Sequence, residues 1–172
     1  EGSMLKLKKI TTTNLNFLLK FTIGEYSNDL FRYGEATDRN RSVELATKEI
    51  MNLVPRGIDT PNQFIYRVKD DHQTVGWLWH QLVEQGKTGF LLYIFINQEF
   101  RRRGLGEKLL KLFEKEAADQ GANELILYVF IDNVPAVKMY QKHGYFIVKE
   151  AGFYDATKST RYKMTKKLIS AS

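Results

Sequence analysis

The alternation of apolar and polar positions predicts a chain that mixes strands and helices. Residues 5–11 alternate as an edge strand does, and Thr13 with Asn14 then offers a cap for a helix that runs to about Arg32. A second helix is predicted over residues 38–53. It should stop there, because a proline two positions further on disfavours helical backbone in the residue before it. The start of the chain is therefore predicted to be one strand followed by two helices.

Strand-like segments dominate the middle of the chain, after a loop that holds two prolines and a glycine. The runs 63–69 and 73–83 are separated by Asp70, Asp71 and His72, which is the pattern of a β-hairpin. The run 89–97, GFLLYIFIN, is apolar at both sets of alternate positions. Because both faces of such a strand need an apolar neighbour, we expect it to be covered on both sides of the sheet.

A βαβ unit is predicted from the order of the next elements. The apolar stripe of residues 105–120 repeats with helical spacing, and Gly121 is a natural terminator. The run 124–130 is again apolar on both faces, so it should lie parallel to strand 89–97 with a right-handed crossover. The chain closes with a short helix and two strands, over 134–142, 144–154 and 159–168. The predicted fold is mixed α/β (α+β), with a central sheet of about seven strands and about four helices.

Length and composition limit the classes of protein. The 172 residues suit one domain, and 43% hydrophobic with 27% charged residues is near the globular average, which argues against disorder. No cysteine is present, so disulfides, thiolate catalysis and zinc–thiolate sites are excluded. No apolar run approaches the ~18 residues of a membrane span and no secretory signal opens the sequence, so we expect a cytoplasmic protein. Residues 1–3 resemble an expression-tag remnant, which leaves residues 4–172 as the predicted single domain.

The net charge of +6 is compatible with nucleic acid, a membrane surface or a small anionic ligand. Most basic residues are dispersed, but Arg101, Arg102 and Arg103 run directly into Gly104 and Gly106 at the start of the predicted helix. Backbone N–H groups at such a turn point toward one spot, and the positive end of the helix dipole adds to them. The stretch is therefore either an anion cradle or a solvated basic turn.

Two motifs bear on this choice. RRRGLG at 101–106 follows a hydrophobic strand, and DNVPAVKMYQKHGYFIV at 132–148 comes after a further helix and strand. In this order they resemble the Gcn5-related N-acetyltransferase (GNAT) superfamily, whose signature is Arg/Gln-x-x-Gly-x-Gly/Ala and whose second motif holds Asn, Ala, Leu-Tyr and Lys-x-Gly-Phe. The departures from the pattern are Arg102 for glycine, Met139 for leucine and Tyr145 for phenylalanine. Residues 51–64 and the Gly-Trp-Leu-Trp strand also resemble an uncharacterised bacterial branch of the superfamily.

The resemblance implies an acetyl-CoA site at a pair of parallel strands that splay apart in the middle of the sheet. Acetyl-CoA would be a co-substrate, its pantetheine arm pairing with main-chain groups of Ile94, Phe95 and Ile96. The turn after this strand would hold the pyrophosphate, chiefly through backbone N–H groups of Arg101, Arg102, Arg103, Gly104, Leu105 and Gly106. Asn133 has two interpretations, a helix cap or a hydrogen-bond partner for the cofactor. No metal is expected.

Tyr140 is the candidate catalytic residue. Its spacing from Val137 also suits a buried helical pair, but in the superfamily the tyrosine at this place lies by the thioester sulfur. There it would protonate the CoA thiolate that leaves when an amine attacks the acetyl carbon. Because the chain has no cysteine to carry an acyl group, we expect direct transfer in a ternary complex.

The base that deprotonates the acceptor amine has several candidates. His80 and Glu84 belong to the strand before the site, Tyr93 belongs to the cofactor strand, and Glu35 belongs to the helical region that shapes the acceptor pocket in the superfamily. A water relay is an equal alternative. His80 alternates with two leucines, which favours a half-buried structural histidine over a catalytic one.

Three classes of function follow from the sequence. The first is an acetyl-CoA-dependent N-acetyltransferase acting on a primary amine of a small molecule or peptide. The second is a CoA-binding regulatory module without catalysis. The third is a nucleic-acid-binding domain, which the basic charge suggests and the buried βαβ setting of the arginines disfavours. We expect no nucleic-acid or membrane partner, and a homodimer remains open.

Overall fold

The computed structural model describes residues 4–153 and 158–169. These residues form seven strands and four α-helices, in the order β1 (Leu5–Lys9), α1 (Thr12–Arg32), α2 (Arg39–Leu53), β2 (Gln63–Asp70), β3 (Gln73–Val83), β4 (Thr88–Ile96), α3 (Leu105–Asp119), β5 (Glu124–Phe130), α4 (Val134–Lys142), β6 (Phe146–Ala151) and β7 (Arg161–Lys167). Each predicted element is present. The tag remnant proposed for residues 1–3, and Tyr154 at the end of the predicted sixth strand, lie outside the described residues.

The strands pair in the order β1-β2-β3-β4-β5-β7-β6. Neighbours from β1 to β4 are antiparallel, and the β2–β3 hairpin turns at Asp71, whose φ of +53° suits a tight turn. β4 and β5 are parallel, with α3 as the connection between them. The predicted mixed sheet of seven strands with a parallel pair is therefore confirmed.

The chain divides into two compact units. The first contains β1, the run from Asn62 to Leu127 and the end of the chain from Thr165. In this unit α3 packs against the sheet, because its buried residues recur every three or four positions. Gly89 of β4 lets the helix approach closely, since an added Cβ would lie 2.9 Å from the Cβ of Ala117. The core of the unit includes Leu78, Trp79, Leu91, Leu109, Leu110, Phe113 and Leu125.

The second unit contains residues 11–61 and 128–164. α1 and α2 pack against each other in it. One buried cluster joins the end of α1, the loop that follows, α2 and the end of β5, through Leu30, Ala36, Leu45, Ala46 and Phe130. No helix in the described part of the chain is long and apolar enough to cross a membrane.

Side chains cap α1 and α2, two of the helices of the second unit. The hydroxyl of Thr11 accepts from the backbone N–H of Asn14 at 3.2 Å, and the side chain of Asn14 accepts from the N–H of Thr11 at 3.3 Å. The predicted cap at Thr13 was therefore two residues late, because several polar residues precede the helix and only the backbone decides which one is extended. α2 is capped by Asp38, whose carboxylate accepts from the N–H of Arg41 at 2.8 Å.

The burial of β4 differs from the sequence prediction. Leu91 and Ile96 are buried, but residues 92–95 between them are only half-buried. The apolar pattern could not show this difference, because a strand that faces a ligand and a strand that faces more protein both need apolar side chains. The expectation that the strand is covered on both sides along its whole length was wrong.

His80 lies in the core of the first unit. Its ring stacks on Phe64 with centroids 5.1 Å apart and meets Phe113 edge to face at 5.2 Å. The side chain is fully buried, and neither ring nitrogen has a hydrogen-bond partner among the described residues. Burial lowers the pKa of His80 to about 4, since a charged ring there would lack both water and a polar partner. The predicted half-buried histidine is therefore fully buried and neutral.

We predict that His80 makes the stability of the fold depend on pH. The unfolded chain takes up a proton near pH 6.5 but the folded chain only near pH 4, so stability falls as the pH drops between these values. The loss should reach about 3 kcal/mol. Urea unfolding across this range should show the loss, and His80→Leu should remove most of it. An equal slope in both proteins would contradict the buried neutral state.

Candidate functional site

The two edges of β4 are used differently. On one edge β4 pairs antiparallel with β3 as far as the Gly76↔Ile96 pair. On the other edge its parallel register with β5 ends at the Leu91↔Leu127 pair, and β4 then continues to Ile96. The continuation includes the three residues expected to bind pantetheine, Ile94, Phe95 and Ile96.

Two local features of β3 shape this part of β4. A Cβ added to Gly76 would lie 2.0 Å from the carbonyl oxygen of Phe95, so only glycine allows the two backbones to come this close. The register also shifts between Trp79 and His80, where β4 accommodates Leu92 as an extra residue. Such bulges re-aim side chains and occur often beside functional sites. β3 therefore fixes the path of the β4 main chain along the edge where the two strands are hydrogen-bonded.

Arg101 ties the turn after β4 back onto the strand. Its Nε donates to the carbonyl of Ile96 at 2.9 Å, and its guanidinium lies 5.0 Å from the centre of the Phe95 ring. The Arg101 side chain thus holds the main chain of the turn in place. Arg102 and Arg103 are exposed, and Arg103 lies over the ring of Phe100 at 5.7 Å.

The start of α3 is open in a way that the starts of α1 and α2 are not. Gly104 is its N-cap, with a left-handed φ of +72°, and the described residues provide no side-chain cap there. The first helical bond runs from the N–H of Lys108 to the carbonyl of Gly104 at 3.2 Å, so the helix provides no partner for the N–H groups of Leu105 and Gly106. A Cβ on Gly104 or Gly106 would meet nothing within 4 Å. Open donors, the helix dipole and the preceding arginines together suit an anion.

Asn133 stands at the N-cap position of α4 but does not cap the helix through its side chain. Its backbone N–H donates to the carbonyl of Phe130 at 3.0 Å, and its side chain is half-buried. The interpretation of Asn133 as a side-chain cap is therefore wrong. Its contact with a cofactor stays a prediction.

Tyr140 is buried on α4 in the second unit, with 8% of its surface exposed. Its ring meets that of Tyr145 edge to face at 5.7 Å. Burial raises the pKa of Tyr140 to about 12, because the phenolate would lose its hydration. The phenol therefore keeps its proton at neutral pH, as a general acid must. Val137 is buried on the same helix, so a packing role and a chemical role are compatible.

Three of the four candidate bases lie on β3, on β4 or in the turn between them. His80 is enclosed in the core, as described above. Glu84 is exposed in the turn between β3 and β4, which is at the opposite end of β4 from Ile96. Tyr93 is half-buried on β4 and stacks on Phe95 at 6.0 Å. Of these three residues only Tyr93 lies beside the expected pantetheine contacts.

Glu35, the fourth candidate, is held in a buried ion pair. Its Oε2 accepts from Nε of Arg161 at 2.8 Å, and its Oε1 accepts from the backbone N–H of Phe153 at 3.3 Å. Both carboxylate oxygens of Glu35 are thus engaged in contacts within the second unit. Glu35 is therefore a structural residue of the second unit.

Arg161 is the main residue of this unit that sequence reasoning missed. Its guanidinium lies over the rings of Phe153 and Phe130, at 4.0 and 4.6 Å, and it donates to the hydroxyl of Tyr26. Tyr26 in turn donates to Glu49 at 2.7 Å, and burial raises the pKa of Tyr26 well above its usual range. The Glu35–Arg161 pair spans 126 positions of sequence, so no local pattern could have revealed it.

The expected site residues thus fall into two groups. Residues 94–96 and 101–106 lie together in the first unit, joined by the side chain of Arg101. Asn133 and Tyr140 both belong to the second unit, at the start and near the end of α4. No group of three His, Asp or Glu side chains that could hold a metal occurs among the described residues.

Comparison with known proteins identifies the family. The model of the Acetyltransferase (GNAT) family matches residues 26–145. The chain is 26% identical over 142 residues to the uncharacterized N-acetyltransferase YdgE of Bacillus subtilis, which covers 81% of this chain and 90% of that protein. The structure of the putative acetyltransferase YycN from Bacillus subtilis has the same fold, with a TM-score of 0.80, 22% identity and coverage of 88% and 98%. PaiA N-acetyltransferase of Thermoplasma acidophilum, solved with coenzyme A, has a TM-score of 0.66, 18% identity and coverage of 95% and 99%. The chain therefore belongs to the acetyltransferase (GNAT) family.

Proposed function

We propose that this acetyltransferase, with residues 4–172 as one domain, moves the acetyl group of acetyl-CoA to a primary amine of a small molecule or peptide. The acceptor attacks directly in a ternary complex. The observation that carries the proposal is the start of α3, a helix N-terminus without a side-chain cap that follows three arginines and is open above two glycines. A pyrophosphate is the kind of ligand that such a start attracts.

Coenzyme A suits the groups on both sides of this turn. Its pyrophosphate would accept from backbone N–H groups of Arg101–Gly106, and Gly104 and Gly106 leave the space for it. Its pantetheine amides would pair with the main chain of Ile94–Ile96, as a peptide does when it adds a strand to a sheet edge. The side chains of residues 92–95 are half-buried and mostly apolar, which suits the hydrocarbon part of the same arm.

The reaction needs an acid and a base from this chain. Bound acetyl-CoA supplies the acetyl group as a thioester. The acceptor nitrogen forms a bond to the acetyl carbon as the carbon–sulfur bond breaks, and Tyr140 gives its phenolic proton to the departing sulfur. The phenol is protonated at neutral pH, so this proton is present to give. No acyl-enzyme is required, which agrees with a chain that has no cysteine.

The acceptor nitrogen must lose a proton before it attacks. The positions of His80, Glu84 and Glu35 leave Tyr93 and a water relay as the routes for that proton. An α-amine with a pKa near ~8 needs less help from such a route than a lysine amine near ~10.4. We therefore propose that acceptors with amines of low pKa react fastest at neutral pH.

Replacing Gly104 should test the anion cradle. Gly104→Glu places a carboxylate in the open space over the α3 N-terminus, and we expect the Kd for coenzyme A to rise by at least about 100-fold. Gly121→Glu is the matched control, because Gly121 also has a positive φ and open space around it but follows the other end of α3. Titration calorimetry should show weakened binding for Gly104→Glu alone. Equal affinities for coenzyme A in the two variants would contradict pyrophosphate binding at the start of α3.

Replacing Tyr140 should test the proton donor. Tyr140→Phe keeps the buried ring but removes the proton, so kcat should fall by about 100-fold while coenzyme A binds as before. Tyr145→Phe, at the neighbouring buried ring, should keep its kcat. Thiol release with a panel of amines, peptides and polyamines measures both variants. A similar kcat for wild type and Tyr140→Phe would contradict the acid role, and absence of thiol release in wild type that binds coenzyme A would indicate a regulatory module instead.

A further inference from the structure

The two edges of the sheet differ in how they are protected. β1, at one edge, carries Lys6, Lys8 and Lys9, and lysines on an edge strand discourage pairing with another chain. β6 lies at the other edge, where three apolar residues follow one another. Phe146, Ile147 and Val148 have exposed fractions of 53%, 38% and 48%. Because side chains alternate between the faces of a strand, apolar surface is exposed on both faces of this edge.

We propose that β6 pairs with β6 of a second copy of this chain, so that the two sheets join about a two-fold axis. As the last strand of the sheet that the described residues form, β6 presents a row of main-chain donors and acceptors along its outer edge. A two-fold dimer uses the same surface patch on both subunits. An edge strand that meets itself in this way runs antiparallel to its mate, which provides the hydrogen-bond pattern directly.

The sequence of β6 selects one register for this pairing. Residues that lie directly opposite each other share a face of the sheet, so the axis must pass through a residue position. With the axis at Ile147, Ile147 meets its own copy and Phe146 meets Val148 of the second copy, so every pair is apolar. With the axis two positions further on, Lys149 would face Lys149, which is unfavourable. With the axis at Val148, Phe146 and Ile147 would each face a charged residue.

Self-complementarity is the reason for choosing a second copy as the occupant. The axis at Ile147 gathers four apolar side chains on one face, two from each subunit, and both copies of Ile147 on the other. Lys149 and Glu150 then lie beyond the paired residues, where they can stay in water. The strand thus carries an apolar centre and a charged end in the order that its own antiparallel copy requires.

A charge-swap experiment tests both the dimer and its register. Because Ile147 faces itself, Ile147→Lys and Ile147→Glu should each bring like charges together and raise the dimer dissociation constant by at least about 100-fold. Mixing the two variants should restore association, since lysine then faces glutamate. Ile58→Lys is the matched control, an exposed isoleucine in the 3-10 turn Gly57–Asp59, and it should leave the dimer intact. Sedimentation measures the mass of each sample, and circular dichroism confirms that each is folded.

The outcomes divide clearly. A wild-type dimer that both Ile147 variants break, and that their mixture restores, supports the proposal. A wild-type monomer at all concentrations would overturn it, as would a dimer that neither variant weakens. If Ile147→Glu alone dimerises as well as or better than wild type, Ile147 faces Lys149 rather than itself, and the register proposed here is wrong. Thiol release measured on the same variants is a separate readout, so failure of the dimer and failure of the acetyltransferase proposal can be told apart.

Discussion

The hydrogen bonding of β4 is the constraint on which the proposed site depends. One edge of the strand pairs with β3 as far as Ile96, while on the other edge its parallel register with β5 ends at Leu91. A strand that continues past its last partner on one side keeps a length of main chain for something else to pair with. The close approach of β3 at Gly76 adds to this constraint, because the backbone of β3 contacts the same segment of β4 at Phe95.

The arginines of the turn are conspicuous in the sequence, but in the proposed site the main chain has the larger role. The guanidinium of Arg101 contacts the carbonyl of Ile96 and the ring of Phe95. It therefore stabilises the conformation of the turn and also contributes to the positive potential there. The donors that suit a pyrophosphate are the backbone N–H groups at the start of α3, which lack the side-chain caps that Thr11 and Asp38 provide elsewhere. In the proposed site, charge would draw the pyrophosphate toward the turn and the backbone would fix its position.

The order of elements could be predicted because the periodic pattern of apolar residues reports local structure. The βαβ unit and the bounds of β5 and α4 followed from such patterns. Burial was harder to predict from the sequence, because the apolar residues 92–95 give the same pattern whether they face protein or a ligand. Contacts between distant segments could not be predicted, and for this reason the sequence suggests Glu35 as a base although the folded chain pairs it with Arg161. The close approach at Gly76 was not predicted either, because it depends on a backbone nineteen positions away.

Amide hydrogen exchange with and without coenzyme A is the most direct test of the claim that main chain binds the cofactor. Slower exchange on binding is expected at the amides of Leu105–Glu107, and at those amides of Leu92–Ile96 that face away from β3. The first turn of α1, already capped by Thr11, should show no change. Tight binding of coenzyme A that leaves the α3 and β4 amides unchanged, with protection elsewhere, would contradict the account.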